Sequence, residues 1–256
     1  MKRVVFNQKG GVGKSTITCN LAAISANNGL RTLVVDLDPQ GNSTHYLMGA
    51  AAEGIEPNLA DLFEQTLTIR FEQRATADHA LPTPFEHLYL MASSPRLEEL
   101  MGKLESRYKI YKLRDALAEL DDQFDQIYID TPPAMNFFTR SALIAADACL
   151  IPFDCDDFSR RALYALLENV EEIRTDHNQA LQVEGIVVNQ FQARASLPQK
   201  LVDDLLAEGL PILPTYLSSS VRIRESHQTA KPMIHLDPRH KLTQEYLALH
   251  ARLGMA

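Results

Sequence analysis

At 256 residues and 45% apolar composition, the chain can bury one large α/β core, and no apolar run approaches the roughly 18 residues of a membrane-spanning helix. A formal net charge of −8 excludes a uniformly basic nucleic-acid surface. Cys19, Cys149 and Cys155, an odd number without ligand-type spacing, point to neither a disulfide framework nor a thiolate metal site.

In chain order, β-branched runs predict strands over Arg3–Asn7, Thr32–Asp36, His87–Ala92, Gln126–Asp130, Ala148–Phe153 and Val183–Asn189, most separated by helix-length segments. That alternation predicts a single α/β domain over 1–256, with a mostly parallel twisted sheet covered by helices on both faces. Between the second and third strands the pattern is weakest: a short helix is expected at Asn58–Gln65 and a turn at Pro82-Thr83-Pro84. At the C-terminus Leu242, Tyr246, Leu249 and Leu253 fall on one helical face. The polar face mixes Lys241 and Arg252 with Glu245, Thr243 and Gln244, so this helix is expected to dock on the domain rather than on a membrane. The start MKRVVFNQKGG turns polar too early for a signal peptide, and a cytoplasmic protein is expected. Charge is uneven along the chain. From Gln190 onward eight Lys/Arg stand against six Asp/Glu, +2, which leaves −10 on the first 189 residues and permits a basic face on the C-terminal third.

The chemistry concentrates in the loop after the first strand, FNQKGGVGKST, Phe6–Thr16. A loop that leaves a strand and opens a helix aims free backbone N–H groups and the positive end of the helix dipole at an anion. Gly10, Gly11 and Gly13, with Val12 between them, allow the close backbone approach this needs. Lys14 then reaches the β/γ-phosphates of a nucleotide, the Ser15 hydroxyl holds Mg²⁺, and Thr16 adds a phosphate contact. Gln8 stands where a regular phosphate loop has its first glycine. Two further strand ends carry carboxylates: Asp36 and Asp38 in VVDLDPQGNST, and Asp130 in FDQIYIDTPPA, where a strand-end Asp holds Mg²⁺ through water. The amide of Asn189, ending GIVVNQF, can both donate to and accept from an adenine edge. The eight histidines show no ligand spacing and read as surface or hydrogen-bonding residues.

The run K-G-G-V-G-K-S-T directly after a strand resembles the deviant Walker A loop of the ParA/MinD family of partition and positioning ATPases, most like its small chromosome-partition members. The resemblance runs from Val4 to about Leu253. It implies that Lys9 reaches across a two-fold sandwich dimer to the phosphates held by the other subunit, a role comparable with an arginine finger supplied in trans. It also implies that Asp36 serves the Mg²⁺ water shell, that Asp38 orients or activates the attacking water, and that Thr131-Pro132-Pro133 is a second switch. Arg194 and Arg222 align with arginines that family members place on DNA phosphates, with Arg224 and Lys200 as additions; Ser218-Ser219-Ser220 departs from the Pro-Arg that often precedes this Val-Arg pair. The function implied is an ATP-dependent homodimer that binds DNA without sequence preference, is nucleoid-associated when ATP-bound, and is stimulated to hydrolyse ATP by a ParB-like or cargo-adaptor protein. Alternatives on the same fold are a MinD-like membrane-positioning ATPase and a metabolic ATP-dependent ligase or amidase. The compact N-terminus is expected to leave no room for the separate helix-turn-helix domain of longer plasmid members of that family.

Overall fold

The computed structural model describes residues 1–68, 73–155, 159–192 and 196–254. Seven strands form one sheet: β1 (Lys2–Val5), β2 (Thr32–Asp36), β3 (Leu81–Pro82), β4 (Leu88–Met91), β5 (Gln126–Asp130), β6 (Ala148–Asp154) and β7 (Gln182–Asn189). Their spatial order is β3-β4-β2-β5-β1-β6-β7, with every neighbouring pair parallel except the β3–β4 edge. The sequence reads β3 as a turn, and the structure shows why it is so short: a proline lacks the N–H a ladder needs and is tolerated only at an edge such as this.

The strands alternate residues between two cores, as a sheet buried on both faces must. Val4, Leu33, Val35, Ile127, Ile129 and Ile151 point to one side and Val5, Val34, Tyr128, Leu150 and Val187 to the other. The second side is covered by α1 (Lys14–Asn27), α2 (Asn42–Met48) and α11 (Lys241–Leu253). Helix α1 is buried continuously from Ile17 to Ala26, which explains why it carries no amphipathic stripe. The first side is covered by α3 (Leu59–Leu67), α4 (Arg96–Ser106), α5 (Lys112–Ala118), α6 (Phe137–Ala145), α7 (Ser159–Asp176) and α8 (Ser196–Ala207). Two short helices, α9 (Arg222–Gln228) and α10 (Met233–Leu236), lead into α11.

Two local expectations are met closely. Asn58 caps α3 through Ala60 and Asp61 N–H groups, with Asp61 answering to the Asn58 N–H, a reciprocal capping box. In α11, Leu242, Tyr246, Leu249 and Leu253 are buried and the helix packs on α1. Among the described residues no helix is long and apolar enough to cross a membrane. Cys19 and Cys149 are buried and Cys155 is half-buried.

The order β2-β5-β1 puts the C-terminal ends of these three strands side by side. The phosphate loop, the Asp36–Asp38 segment and Asp130 all leave from that edge, where ligands bind in sheets of this class.

Candidate phosphate and metal site

The loop begins at Phe6, whose ring is buried, and ends at Gly13, which caps α1 with φ 90°. A side chain at Gly13 would be excluded twice over, by the left-handed backbone and by Asn189, whose Nδ2 would lie 2.3 Å from a Cβ. The loop's carbonyls are held from below by the end of β7. Asn189 Nδ2 donates to Val12 O at 2.8 Å and Gln190 Nε2 donates to Gly11 O at 3.0 Å. Lys14 Nζ donates to Lys9 O at 3.0 Å, and the Asn7 side chain accepts from the Lys9 N–H at 2.9 Å. Carbonyls tied inward leave the exposed Gly10 and Gly11 at the outer rim. Lys9 itself is half-exposed, its ammonium 3.9 Å from Asp154 at the end of β6.

Asp36 and Asp130 are register partners on neighbouring strands, and both are fully buried. Thr44 donates to Asp36 Oδ2 twice, from its backbone N–H and its hydroxyl, each at 2.7 Å. Asp130 accepts from Ser43 Oγ at 2.7 Å, from its neighbour's N–H on Thr131 at 3.0 Å, and from the Ser15 hydroxyl. Burial, and then repulsion from Asp130, push the Asp36 pKa well above the carboxylate range. Burial pushes Asp130 to about 6, against the Ser15 and Ser43 hydrogen bonds and the Lys14 charge, which favour its ionised form. Lys14 is buried too, and desolvation lowers its pKa despite the attraction of Asp130 and Asp38. Asp38 is buried where α2 is approached, its side chain accepting from the Gln40 N–H at 3.0 Å and its carbonyl from Ser93 Oγ at 2.5 Å.

This cluster joins one ammonium to three carboxylates, an excess of buried negative charge that a divalent cation would relieve. The donor set is hard oxygen. Mg²⁺ is such a cation: it prefers oxygen donors, keeps several waters and takes one or two protein oxygens beside substrate phosphates. Ser15, Asp130 and Asp36 are the residues that could hold it.

The cleft beside the loop, about 200 Å³, is lined by Gly11, Gly13, Thr16, Asn189, Arg224 and His227 among others. Asn189 lines this cleft, and its amide Nδ2 is engaged by the loop carbonyl of Val12. Three of the four DNA candidates fall within the described residues. Arg222 is half-buried between Glu225 and Asp237, the latter at 3.5 Å. Arg224 is exposed at the cleft, Lys200 is exposed on α8, and Arg194 lies outside the described residues. Four contributors had not been singled out from sequence: Ser43 and Thr44, which hold the carboxylates, Gln190, which holds the loop, and His227, which meets Thr16. The first two stand in the N-S-T that follows Asp38-Pro39-Gln40-Gly41, a hydroxyl pair at the start of a helix. Gln190 adjoins Asn189 with a left-handed backbone, φ 54°.

The fold and loop define a nucleotide-binding α/β protein of the deviant phosphate-loop class. A family model described as an AAA domain matches residues 2–183. The chain is 32% identical over 251 residues to the chromosome partitioning protein ParA of Myxococcus xanthus, covering 97% of this chain and 86% of that protein. It belongs to the ParA/MinD family of partition and positioning ATPases. Among solved structures, cobyrinic acid a,c-diamide synthase of Mycobacterium smegmatis with bound ADP and magnesium is 26% identical at TM-score 0.77, over 90% of this chain and 91% of that one. The apo McdA of Cyanothece shares the fold at TM-score 0.84 and 22% identity, over 99% of each chain.

Proposed function

We propose that this chain binds Mg·ATP at the loop, forms an ATP-dependent homodimer, binds DNA without sequence preference, and hydrolyses ATP when a partner protein stimulates it, so as to partition or position a cargo. The observation that carries this reading is the convergence of Lys14, Ser15, Asp36, Asp38 and Asp130 at the ends of three adjacent strands. Lys14 and the amides of Gly10–Gly13 bind the β/γ-phosphates. When bound, the metal draws charge from the phosphate oxygens. Ser15 would hold it, Asp130 would hold it through water, and Asp36 would belong to its water shell. Asp38 orients the attacking water and accepts its proton. Lys9, on the outer rim, reaches the partner subunit's phosphates. A second cation beside Lys14 becomes favourable once the nucleotide's negative charge is present, so ATP and the dimer favour one another.

Arg194, Arg222, Arg224 and Lys200 are the proposed phosphate contacts on DNA. For Arg222 this requires leaving Glu225 and Asp237, so its contribution to DNA affinity is reduced by the ion pairs it gives up. A second reading, an ATP-dependent amidating enzyme, is favoured by the likeness to the Mycobacterium smegmatis synthase. One set of measurements separates the two: with ATP and Mg²⁺ at low salt, the partition reading expects dimers by light scattering and salt-sensitive binding to unrelated duplexes. Absence of DNA binding under those conditions defeats the partition reading. The trans role of Lys9 is tested by mixing two inactive variants, Lys9→Ala and Asp38→Ala. Each mixed dimer has one site with both defects and one with neither, so hydrolysis returns; mixed dimers that remain inactive put Lys9 in its own subunit's site.

A further inference from the structure

One polar network at the loop has no part in the scheme above. His227 of α9 brings Nε2 to 2.9 Å from the Thr16 hydroxyl in the first turn of α1. Its ring stacks on Tyr46 of α2, with centroids 4.0 Å apart and planes at 20°. Tyr46 is fixed in turn: its hydroxyl accepts from Asn20 Nδ2 at 3.1 Å and is hydrogen-bonded to Ser226. The imidazole plane is thus set by a ring from the helix that follows Asp38, while its edge faces the wall of the nucleotide-side cleft that Thr16 shares with Gly11, Gly13 and Asn189.

A threonine hydroxyl has one proton. If that proton is donated to an imidazole nitrogen, it is not available to a phosphate oxygen. His227 keeps part of its surface exposed, and the desolvation of the ring face that packs on Tyr46 lowers its pKa and favours the neutral form, which carries a single N–H. With that N–H on Nε2, the ring donates to Thr16 Oγ1 and the threonine proton stays free.

We propose that His227 is a positioning residue for nucleotide binding: it donates from Nε2 to Thr16 Oγ1 and so directs the Thr16 proton to a phosphate oxygen of the nucleotide, with Tyr46 holding the ring in plane. The inference rests on the reading of the loop as an ATP site.

The test uses the full chain and a fluorescent ATP analogue with Mg²⁺. His227→Gln sets an amide nitrogen near the place of Nε2 but removes the ring; His227→Phe keeps a ring to stack and removes the N–H. Thr16→Ala and His227→Phe are expected to weaken binding about three- to tenfold, the range one hydrogen bond supplies. The double variant is expected to be no weaker than either single one, and His227→Gln to recover most of the loss, whereas His227→Asn, a methylene too short, recovers none. If stacking alone matters the order reverses, with Phe binding normally and Gln weakly, and the proposal is overturned; equal affinities throughout also overturn it. Ring-nitrogen NMR of the nucleotide-bound wild type needs no variant to fold: protonated Nε2 is expected, and the Nδ1–H tautomer defeats the proposal. Lys14→Ala in the same assay separates the two levels of inference. Unchanged affinity in Lys14→Ala refutes the loop assignment, while loss there beside a normal His227→Phe refutes the role of His227 alone.

Discussion

The two ends of the central strands both bury charge, and they do so in opposite ways. At the N-terminal end Arg3 of β1 lies over the Tyr128 ring of β5, its register partner, and pairs with Glu184 of β7 through two hydrogen bonds, 2.5 and 2.7 Å long. Both side chains are almost inaccessible, at 4% and 6% exposure. Burial alone would lower the Arg3 pKa, but Glu184 and Tyr128 together raise it. From there the Tyr128 hydroxyl continues to Ser25 at 2.9 Å and Ser25 to His250 at 2.8 Å, tying α1 and α11 to the sheet. At the C-terminal end, β2 and β5 bury Asp36 against Asp130 with Lys14 as the nearby cation, and burial raises both acids. One end is neutral and complete without a ligand. The other holds unbalanced like charge, the arrangement expected where binding supplies the missing cation.

The comparison is broken most severely at the complete end. Glu184→Ala leaves Arg3 buried without its carboxylate, which costs about 3–5 kcal/mol. For a chain of this length that lowers the melting temperature on the order of 10 °C in a calorimetric or circular dichroism scan. The nucleotide affinity of the folded fraction is expected to stay near the wild-type value, because Arg3 and Glu184 pair with each other at the end of the strands away from the phosphate loop.

Next in size is Lys14→Ala at the incomplete end. Loss of the cation that meets the β/γ-phosphates is expected to reduce partner-stimulated hydrolysis about a hundredfold or more, as read by phosphate release. The ligand-free protein should unfold at a temperature near that of wild type, since Lys14 is itself buried at a desolvation cost.

The smallest effect sharpens the contrast because its sign is reversed. Asp130 is raised in the fold from its ordinary value to about 6. Its protonated form is therefore favoured on folding. The stability this contributes is fully present below about pH 4 and is lost as pH rises through about 6. At pH 7.5 Asp130→Asn is expected to make the nucleotide-free protein more stable by on the order of 1–3 kcal/mol, and the advantage should shrink as pH is lowered from 6 to 4. Mg·ATP should stabilise wild type but not the variant. Denaturant titrations across that range check the sign, and an Asp130→Asn protein less stable than wild type at pH 7.5 contradicts it.

The parts of the molecule legible in the sequence are those written in short-range pattern. Strand and loop at Arg3–Thr16, carboxylates at the ends of apolar runs, and the short helix beginning at Asn58 each depend on residues a few positions apart. What was not legible depends on strand order. Nothing within Thr32–Asp36 or Gln126–Asp130 says that Asp36 and Asp130 are register partners; that follows from β5 entering between β1 and β2. Ser43 and Thr44 were missed because hydroxyls carry no hydrophobic period and gain meaning only once a buried carboxylate is beside them. His227 lies 211 residues from the threonine it touches. The exposed arginines are the converse case: sequence treats Arg222 as available, and the fold surrounds it with Glu225 and Asp237.

The way β7 grips the loop bears on timing. Asn189 and Gln190 fix two consecutive loop carbonyls from a strand end that is itself part of the sheet. The backbone of the proposed nucleotide site is thus held by side chains of the chain itself, which reduces the chain entropy that binding would cost. Lys14 has only to swing from the Lys9 carbonyl, a side-chain rotation on the picosecond-to-nanosecond scale. On the proposed function, nucleotide capture is expected to be fast beside subunit pairing and hydrolysis, and stopped-flow binding of a fluorescent ATP analogue checks that order.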